Sequence, residues 1–157
     1  MITVHGRTRS DLYSGVSDWK FIKQVKDAVQ IPVICNGDIV SEETAKEALL
    51  ESGADGIMIG RGALGKPWIL RNIYTFLNEN RYEETISNNE KHKIILEHID
   101  LVHEYYGDIG GTSIFKKHAA WYINNEKNAS LYRVKINQSE TINDMKKVIN
   151  EFFESLA

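Results

Sequence analysis

The chain has 157 residues, a formal net charge of −3 and 42% hydrophobic residues. This length allows one domain or one and a half, and the slight acidic excess excludes a polycation, so that nucleic acid would have to bind a local basic patch. No apolar run reaches the roughly 20 residues of a membrane span, and no signal-peptide pattern is present. The single cysteine, Cys35, excludes an internal disulfide or a cysteine-based metal cluster. We therefore expect a soluble, cytoplasmic protein.

The first 70 residues predict the order strand, helix, strand, helix, strand. The strands are short apolar runs at residues 2–4, 33–35 and 57–59. Asp18 and Ser41 are the expected N-caps of the two helices, and Gly53 is the expected left-handed stop of the second helix. Short apolar strands that alternate with helices of about a dozen residues are typical of parallel β/α units whose strands are buried on both faces.

The pattern beyond residue 68 is helical. One helix is predicted near residues 68–77, and after a polar stretch three amphipathic helices are predicted near residues 94–105, 115–123 and 142–156. The first two of these three are expected to be separated by Gly107, Gly110 and Gly111. The sequence therefore predicts a partial β/α barrel over residues 1–80 and an all-α helical domain over residues 81–157.

Each predicted strand runs into a loop of glycine and polar residues: His5-Gly6-Arg7-Thr8-Arg9, Asn36-Gly37-Asp38 and Gly60-Arg61-Gly62. Such loops at the carboxyl ends of parallel strands can offer backbone N–H groups and a guanidinium to a phosphate. Each also has a plain interpretation, as a β-to-α turn, a surface arginine or a histidine bonded to backbone. Their occurrence at neighbouring strand ends favours a site for the phosphate or ribitol of a cofactor, with Arg7 and Arg9 facing an anionic substrate.

A basic segment with interleaved aromatic residues lies between Thr112 and Lys135. Glu126 is its only acid, its cations are Lys116, Lys117, Lys127, Arg133 and Lys135, and its large aromatic residues are Phe115, Trp121, Tyr122 and Tyr132. Cations for phosphates and rings for bases suit an RNA-facing surface. The same residues suit a helix core covered by solvated lysines, and the pattern alone leaves both interpretations open.

The remaining candidate residues indicate no further site. His92, His98 and His103 lack the i, i+4 spacing of a helical metal pair, so we expect half-buried or exposed positions and no metal site. Cys35 lies within an apolar strand and is expected to be a buried, inert thiol.

Taken together, these motifs resemble the tRNA-dihydrouridine synthases, most closely their bacterial B-type branch. The resemblance is carried by residues 2–9, 31–39, 53–63 and 65–69 and by a Lys-His-x-x-Trp-Tyr pattern over residues 117–122, and it extends over essentially the whole chain. It implies the last three β/α units of an FMN-binding TIM barrel followed by an all-α helical domain that binds tRNA. The implied reaction is the reduction of the C5=C6 bond of selected uridines in tRNA, with NADPH as the reductant of the flavin.

The resemblance also implies roles for individual residues. The residues implied to hold FMN are His5, Asn36, Gly37, Asp38, Gly60 and Arg61, and those implied to contact tRNA are Arg7, Arg9, Lys116, Lys117, His118, Trp121 and Arg133.

The family's catalytic cysteine and flavin-contacting lysine belong to earlier barrel strands that this sequence lacks. Cys35 occupies a different strand and does not replace the acid. We therefore expect a fragment of a flavin-dependent oxidoreductase with no catalytic residue of its own, inactive unless an N-terminal half supplies both groups. A non-catalytic RNA-binding remnant is one alternative. Another is an FMN-barrel oxidoreductase acting on a small molecule, which would not need the Lys-His-x-x-Trp-Tyr pattern.

Overall fold

The computed structural model of the chain describes residues 1–10, 14–124 and 126–156. The chain divides into two compact units, Met1–Glu83 and Glu84–Ala157. The first combines strands with helices, and the described residues of the second form helices and their connections. Among the described helices, none has the length and apolar character that crossing a membrane requires.

The first unit contains a parallel sheet of three strands, β1 (Ile2–His5), β2 (Val33–Asn36) and β3 (Gly56–Met58), in the order β1-β2-β3. Helix α1 (Trp19–Ala28) connects β1 to β2, and helix α2 (Glu42–Ser52) connects β2 to β3. The register pairs His5 with Asn36 and Asn36 with Met58, so the carboxyl ends of the three strands lie side by side. The predicted α/β organisation with three parallel strands is confirmed.

Both connecting helices begin where the sequence predicts, and the second also ends there. The side chain of Asp18 accepts a hydrogen bond from the backbone N–H of Phe21, and Ser41 forms a capping box with Thr44. Gly53 ends α2 in the left-handed conformation, with φ 59°. These boundaries are set by interactions within one turn of chain, which is why they could be predicted from the sequence.

The central strand β2 carries the core of the first unit. Its side chains at Val33 and Cys35 are fully buried, and the residues packed around them are Ile22, Ile39, Ala45, Ala48, Ile69 and Ile73. Burial raises the pKa of the Cys35 thiol, although a hydrogen bond with Ser52 opposes that shift. Cys35 is thus a buried thiol, as expected.

After β3 the chain forms a short 3₁₀ turn (Arg61–Ala63) and helix α3 (Ile69–Glu79). The segment that follows α3 folds back onto the same unit. The Thr75 hydroxyl donates to Glu83 at 2.8 Å, and the Tyr82 hydroxyl donates to Glu43 at 2.7 Å. These two bonds attach residues 82–83 to α3 and α2.

The second unit contains helices α4 (Asn88–Tyr122), α5 (Ala129–Gln138) and α6 (Ile142–Glu154). Helix α4 consists of two arms, residues 88–106 and 108–122, because Gly107 has the non-helical angles φ 70° and ψ −177°. The arms lie antiparallel as a hairpin, since Nδ1 of His98 lies 3.0 Å from the Tyr122 hydroxyl and Lys91 forms an ion pair with Glu126 at 2.9 Å.

The prediction that glycines separate two helices is confirmed for Gly107 and is wrong for Gly110 and Gly111, which are helical. Gly111 instead allows the arms to approach each other. A Cβ atom there would lie 3.3 Å from the carbonyl oxygen of Val102 and 3.4 Å from the Cα atom of His103.

Helix α5 was not predicted, whereas α6 was. In α5 the residues Ala129, Tyr132 and Ile136 are buried at helical spacing, but Leu131 and Val134 are more than half exposed and obscure the pattern. In α6 the apolar residues Ile142, Met145, Ile149 and Phe152 are all buried, and the periodicity is clear.

We predict opposite consequences for alanine at the two helical glycines. Gly110→Ala should raise the free energy of unfolding by about 0.5–1 kcal/mol, because alanine favours a helix interior over glycine. Its Cβ atom would make only an ordinary 3.5 Å contact with Tyr106. Gly111→Ala should lose that gain, because its Cβ atom presses on backbone that cannot rotate away. Urea unfolding of both variants measures the difference, and equal stabilisation would contradict the close approach.

Candidate functional site

A cavity of about 340 Å³ lies at the carboxyl ends of the three strands. It is lined by His5, Asn36, Gly37, Asp38, Ile39, Val40, Met58, Gly60, Arg61 and Gly62. The six residues that the sequence predicts to hold a cofactor are all among them. The structure therefore brings together three loops that are separate in the sequence.

The loop after β2 forms one wall of the cavity in a conformation that favours glycine. Gly37 has φ 119°, and Asp38 follows with φ 55°. A Cβ atom at Gly37 would lie 2.2 Å from Oγ of Ser17 and 3.2 Å from Cε1 of His5, so only glycine fits there. The amide nitrogen of Asn36 donates to the carbonyl oxygen of Met58 at 2.7 Å and joins the ends of β2 and β3.

The loop after β3 forms the opposite wall and packs closely on the first. A Cβ atom at Gly62 would lie 2.4 Å from the carbonyl oxygen of Ile39, so the two loops touch at this glycine. Nζ of Lys66 donates to the carbonyl oxygen of Val40 at 3.1 Å. Neither Gly62 nor Lys66 was among the predicted site residues. The Gly-Arg-Gly motif could have indicated Gly62 from the sequence alone. The contact made by Lys66 depends on the fold and could not be found in this way.

The guanidinium of Arg7 is buried beneath the cavity, with 6% of its side chain exposed. It forms a bidentate pair with Asp38, at 2.9 Å to Oδ1 and 2.6 Å to Oδ2. Its other N–H groups donate to the carbonyl oxygens of Ser14 and Gly15, at 3.1 and 2.8 Å, and to Oγ of Ser17 at 3.4 Å. All five N–H donors of the guanidinium are thereby used.

This geometry argues against the predicted contact between Arg7 and tRNA, because no N–H group of its guanidinium is left for an outside partner. It also turns the carboxylate of Asp38 toward Arg7 and toward the backbone N–H of Ser17, which donates to Oδ2 at 2.9 Å. Burial raises the pKa of Asp38. The hydrogen bonds from Ser17 and Arg7 and the positive charge of Arg7 outweigh this effect, so the net shift of the pKa is downward. Asp38 is therefore held as an ionised carboxylate that Arg7 neutralises.

His5 lies at the end of β1, where its ring is held by backbone. Its Nδ1 atom accepts a hydrogen bond from the backbone N–H of Arg7 at 3.0 Å. In the neutral imidazole the proton must then be on Nε2, which makes Nε2 a hydrogen-bond donor at the cavity.

The cavity has the features of an anion site. Arg61 is an exposed cation at its edge. Gly60 is exposed at the cavity, whereas Gly62 is buried within the 3₁₀ turn, so the loop brings backbone close to a ligand at Gly60. Because the charge of Asp38 is neutralised, the guanidinium of Arg61 and the backbone of this loop suit a phosphate group that lies close to the backbone. No group of three or more metal-ligating side chains occurs among the described residues.

The second unit carries a separate cluster on the two arms of α4. The His118 ring lies 4.9 Å from the His98 ring and 5.3 Å from the Trp121 ring, between centroids. Nζ of Lys117 lies 5.3 Å from the centroid of Trp121, a cation–π distance. Lys117 is exposed, and Lys116, His118 and Trp121 are half-buried.

Arg133 and Arg9, which are also predicted to contact tRNA, belong to other segments of the chain. Arg133 is exposed on α5, and Arg9 is exposed in the first unit. Within the described ranges, neither Arg133 nor Lys116, Lys117 or Lys127 forms an ion pair, whereas Lys135 is paired with Glu151 at 2.8 Å. The free cations of the basic segment are thus on α4, on α5 and on the connection between them.

We predict that Arg7→Lys lowers the free energy of unfolding by about 2–4 kcal/mol, because lysine cannot supply five N–H donors and leaves buried acceptors and a carboxylate without partners. Urea unfolding measures this loss. Lys23→Gln is the matched control: it breaks an ion pair with Asp27 that is more than half exposed, and it should cost less than about 0.5 kcal/mol. Equal losses in the two variants would show that the Arg7 pair does not hold the loop.

Comparison with known proteins identifies the family of this chain. The family model described as dihydrouridine synthase (Dus) matches residues 1–157. A probable tRNA-dihydrouridine synthase of Rickettsia conorii is 46% identical over 156 residues, which are 99% of this chain and 47% of the relative. The tRNA-dihydrouridine synthase B of Pseudomonas syringae pv. tomato is 41% identical over 152 residues, 97% of this chain and 45% of the relative.

The tRNA-dihydrouridine synthase B of Vibrio cholerae is 39% identical over 156 residues, 99% of this chain and 48% of the relative. The chain thus spans about half the length of the curated relatives it matches. Because the family model covers the whole sequence and B-type enzymes are among the relatives, the resemblance seen in the motifs is confirmed, and the chain belongs to the dihydrouridine synthase family.

Proposed function

We propose that this chain forms the phosphate-binding part of an FMN site and an RNA-binding surface of a tRNA-dihydrouridine synthase. The observation that carries this proposal is the cavity at the strand ends, which gathers all six predicted cofactor residues. In this proposal the three β/α units are the last three of a flavin-binding TIM barrel, and an all-α helical domain follows them. The boundary lies close to residues 80–84, where the two compact units divide.

Each wall of the cavity has its own task in this proposal. Arg61 and the backbone N–H group of Gly60 bind the phosphate of FMN. The loop of Gly37 and Asp38 lines the opposite wall and lets the ligand approach the backbone closely. Nε2 of His5 donates a hydrogen bond to the cofactor. Asn36 holds the two walls together through Met58. These residues would hold FMN, which when bound would supply a hydride for the C5=C6 bond of a uridine in tRNA, with NADPH as the source of electrons and a proton from another group.

The proton donor of the reaction is not among these 157 residues. Cys35 is the only cysteine of the sequence, and it is buried in the sheet with a raised pKa. We propose that the catalytic cysteine and a flavin-contacting lysine come from an N-terminal half, equivalent to the part of the relatives that this chain does not cover. That half would also pair with the strand edges of β1 and β3, to which the described residues add no further strand. The chain alone should then form no dihydrouridine.

The cofactor proposal is tested by comparing FMN with riboflavin, which lacks the phosphate. Arg61→Ala should weaken FMN binding about 10- to 100-fold, since a charge-assisted contact with phosphate is lost. It should leave riboflavin binding unchanged. Quenching of flavin fluorescence in a titration measures both affinities. Arg71→Ala is the control, because this arginine is exposed on α3 and does not line the cavity.

Two results would contradict the cofactor proposal. If Arg61→Ala weakens FMN and riboflavin equally, the arginine does not bind the phosphate. If the wild-type chain binds neither flavin but still binds tRNA, the chain acts as an RNA-binding module without a cofactor.

The RNA proposal assigns the free cations of the second unit to phosphates of tRNA. Lys117→Ala should weaken binding to a tRNA transcript and lower the slope of log affinity against log salt concentration by about one, because each phosphate contact releases roughly one counterion. Fluorescence anisotropy at several salt concentrations measures this slope. Lys147→Ala is the control, since Lys147 is exposed on α6 and lies beside Asp144. An unchanged slope in Lys117→Ala would remove Lys117 from the interface.

A further inference from the structure

His98 has no part in the Lys-His-x-x-Trp-Tyr pattern, yet it lies at the centre of the cluster that this pattern forms. It belongs to the N-terminal arm of α4 and reaches across the hairpin to the other arm. Its ring makes edge contacts with Phe115, His118 and Tyr122, at centroid distances of 5.1, 4.9 and 5.9 Å. Nδ1 of His98 also lies 3.0 Å from the Tyr122 hydroxyl.

These contacts link the core of the helical unit to its surface. Phe115 is fully buried, and Tyr122 is 8% exposed. From His98 the series of rings continues through His118 to Trp121, and Trp121 lies beneath the ammonium group of exposed Lys117. The position of the half-buried His118 and Trp121 rings is therefore set by a ring on the opposite arm.

We propose that His98 is a positioning residue that presents His118 to RNA, and that His118 contacts a phosphate as a cation. This inference rests on the proposed RNA-binding function of the helical unit. It adds a residue outside the motif, a charge state for His118 and a proton that is taken up when RNA binds.

The surroundings of the two rings lower the pKa of each. Burial lowers the pKa of His118, and the charge of Lys117 lowers it further. Burial also lowers the pKa of His98, and the charge of His118 adds to that shift. Burial raises the pKa of Tyr122 to about 12, so its hydroxyl remains protonated at neutral pH. A charged His118 therefore disfavours a charge on His98.

The described ion pairs of α5 and α6 do not include His98 or His118. The lysines of α5 and α6 that form ion pairs are bound to Glu151, Asp100 and Asp144, and none of the described acidic side chains forms an ion pair with His98 or His118. Free His118 consequently has Lys117 as its charged neighbour, without an opposing carboxylate. A phosphate from RNA would supply the missing counter-charge.

The sign of the pH effect follows from this. A phosphate partner raises the pKa of His118 in the complex above its value in the free chain, so binding takes up a proton. The added affinity is complete below the pKa of free His118 and is lost as the pH rises through the pKa in the complex. The affinity of the wild-type chain for tRNA should accordingly increase about three- to tenfold between about pH 8 and pH 5.5, a change that one imidazole can supply.

The test measures tRNA affinity by anisotropy at constant salt across this pH range, for the full 157-residue chain and its variants. His118→Gln should lose the pH dependence. His103→Gln, which removes an exposed imidazole from the same arm of α4 as His98, should keep it. NMR titration of His118 with and without tRNA should show an upward shift of its pKa in the complex.

Two variants separate positioning by His98 from general stability. His98→Phe keeps a ring against His118 and should retain both the affinity, within about twofold, and the pH dependence. His98→Ala removes the ring and should weaken binding about fivefold or more. Both variants lose the hydrogen bond to Tyr122, so thermal unfolding of each shows whether affinity merely follows stability.

The outcomes distinguish this inference from the function on which it rests. If Lys117→Ala weakens binding but His118→Gln keeps the full pH dependence, or His98→Ala binds as well as His98→Phe, the roles assigned to the histidines are wrong while the RNA surface stands. If the wild-type chain binds no tRNA at any pH, both the surface and the histidine roles are overturned.

Discussion

The ion pair between Arg7 and Asp38 is the interaction on which the rest of the site depends. It joins the loop after β1, the chain ahead of α1 and the loop after β2, and it uses every donor of the guanidinium. Asp38 has a positive φ of 55°, a conformation that costs free energy for a residue with a side chain. The pair offsets this cost. The ion pair thereby fixes the loop after β2, in which Gly37 packs against Ser17, without the help of a ligand.

The same pair resolves an apparent conflict in the electrostatics of the cavity. A carboxylate in a proposed phosphate site would repel the ligand if it were free. Asp38 is bound to Arg7 at both oxygens, and the two charges cancel. Arg61 adds a positive charge at the cavity edge. The sequence places three arginines and an aspartate near the strand ends, but only the geometry shows that Arg7 balances the acid while Arg61 lines the cavity.

The parts of the fold that could be predicted are those set by local interactions. The caps at Asp18 and Ser41 and the stop at Gly53 act within one turn, and a short apolar strand between helices is recognisable without tertiary information. The contacts of Arg7 could not be predicted, because its partner Asp38 lies 31 positions away in the sequence. Gly107 and Gly111 look alike in the sequence, although one breaks a helix and the other allows two arms to touch.

The sequence of the basic segment allowed two interpretations, a helix core and a surface of exposed cations. Different residues of the segment have these two roles. Phe115, Tyr122 and Tyr132 are buried, as a helix core requires. Lys135 is neutralised by Glu151, and Glu126 by Lys91, so both charges of these pairs serve the fold. Lys116, Lys117, Lys127 and Arg133 are the cations of the segment that no described acid neutralises. Among the described residues these cations therefore form no ion pair of the fold, and one of them, Lys117, lies at a cation–π distance from the half-buried Trp121.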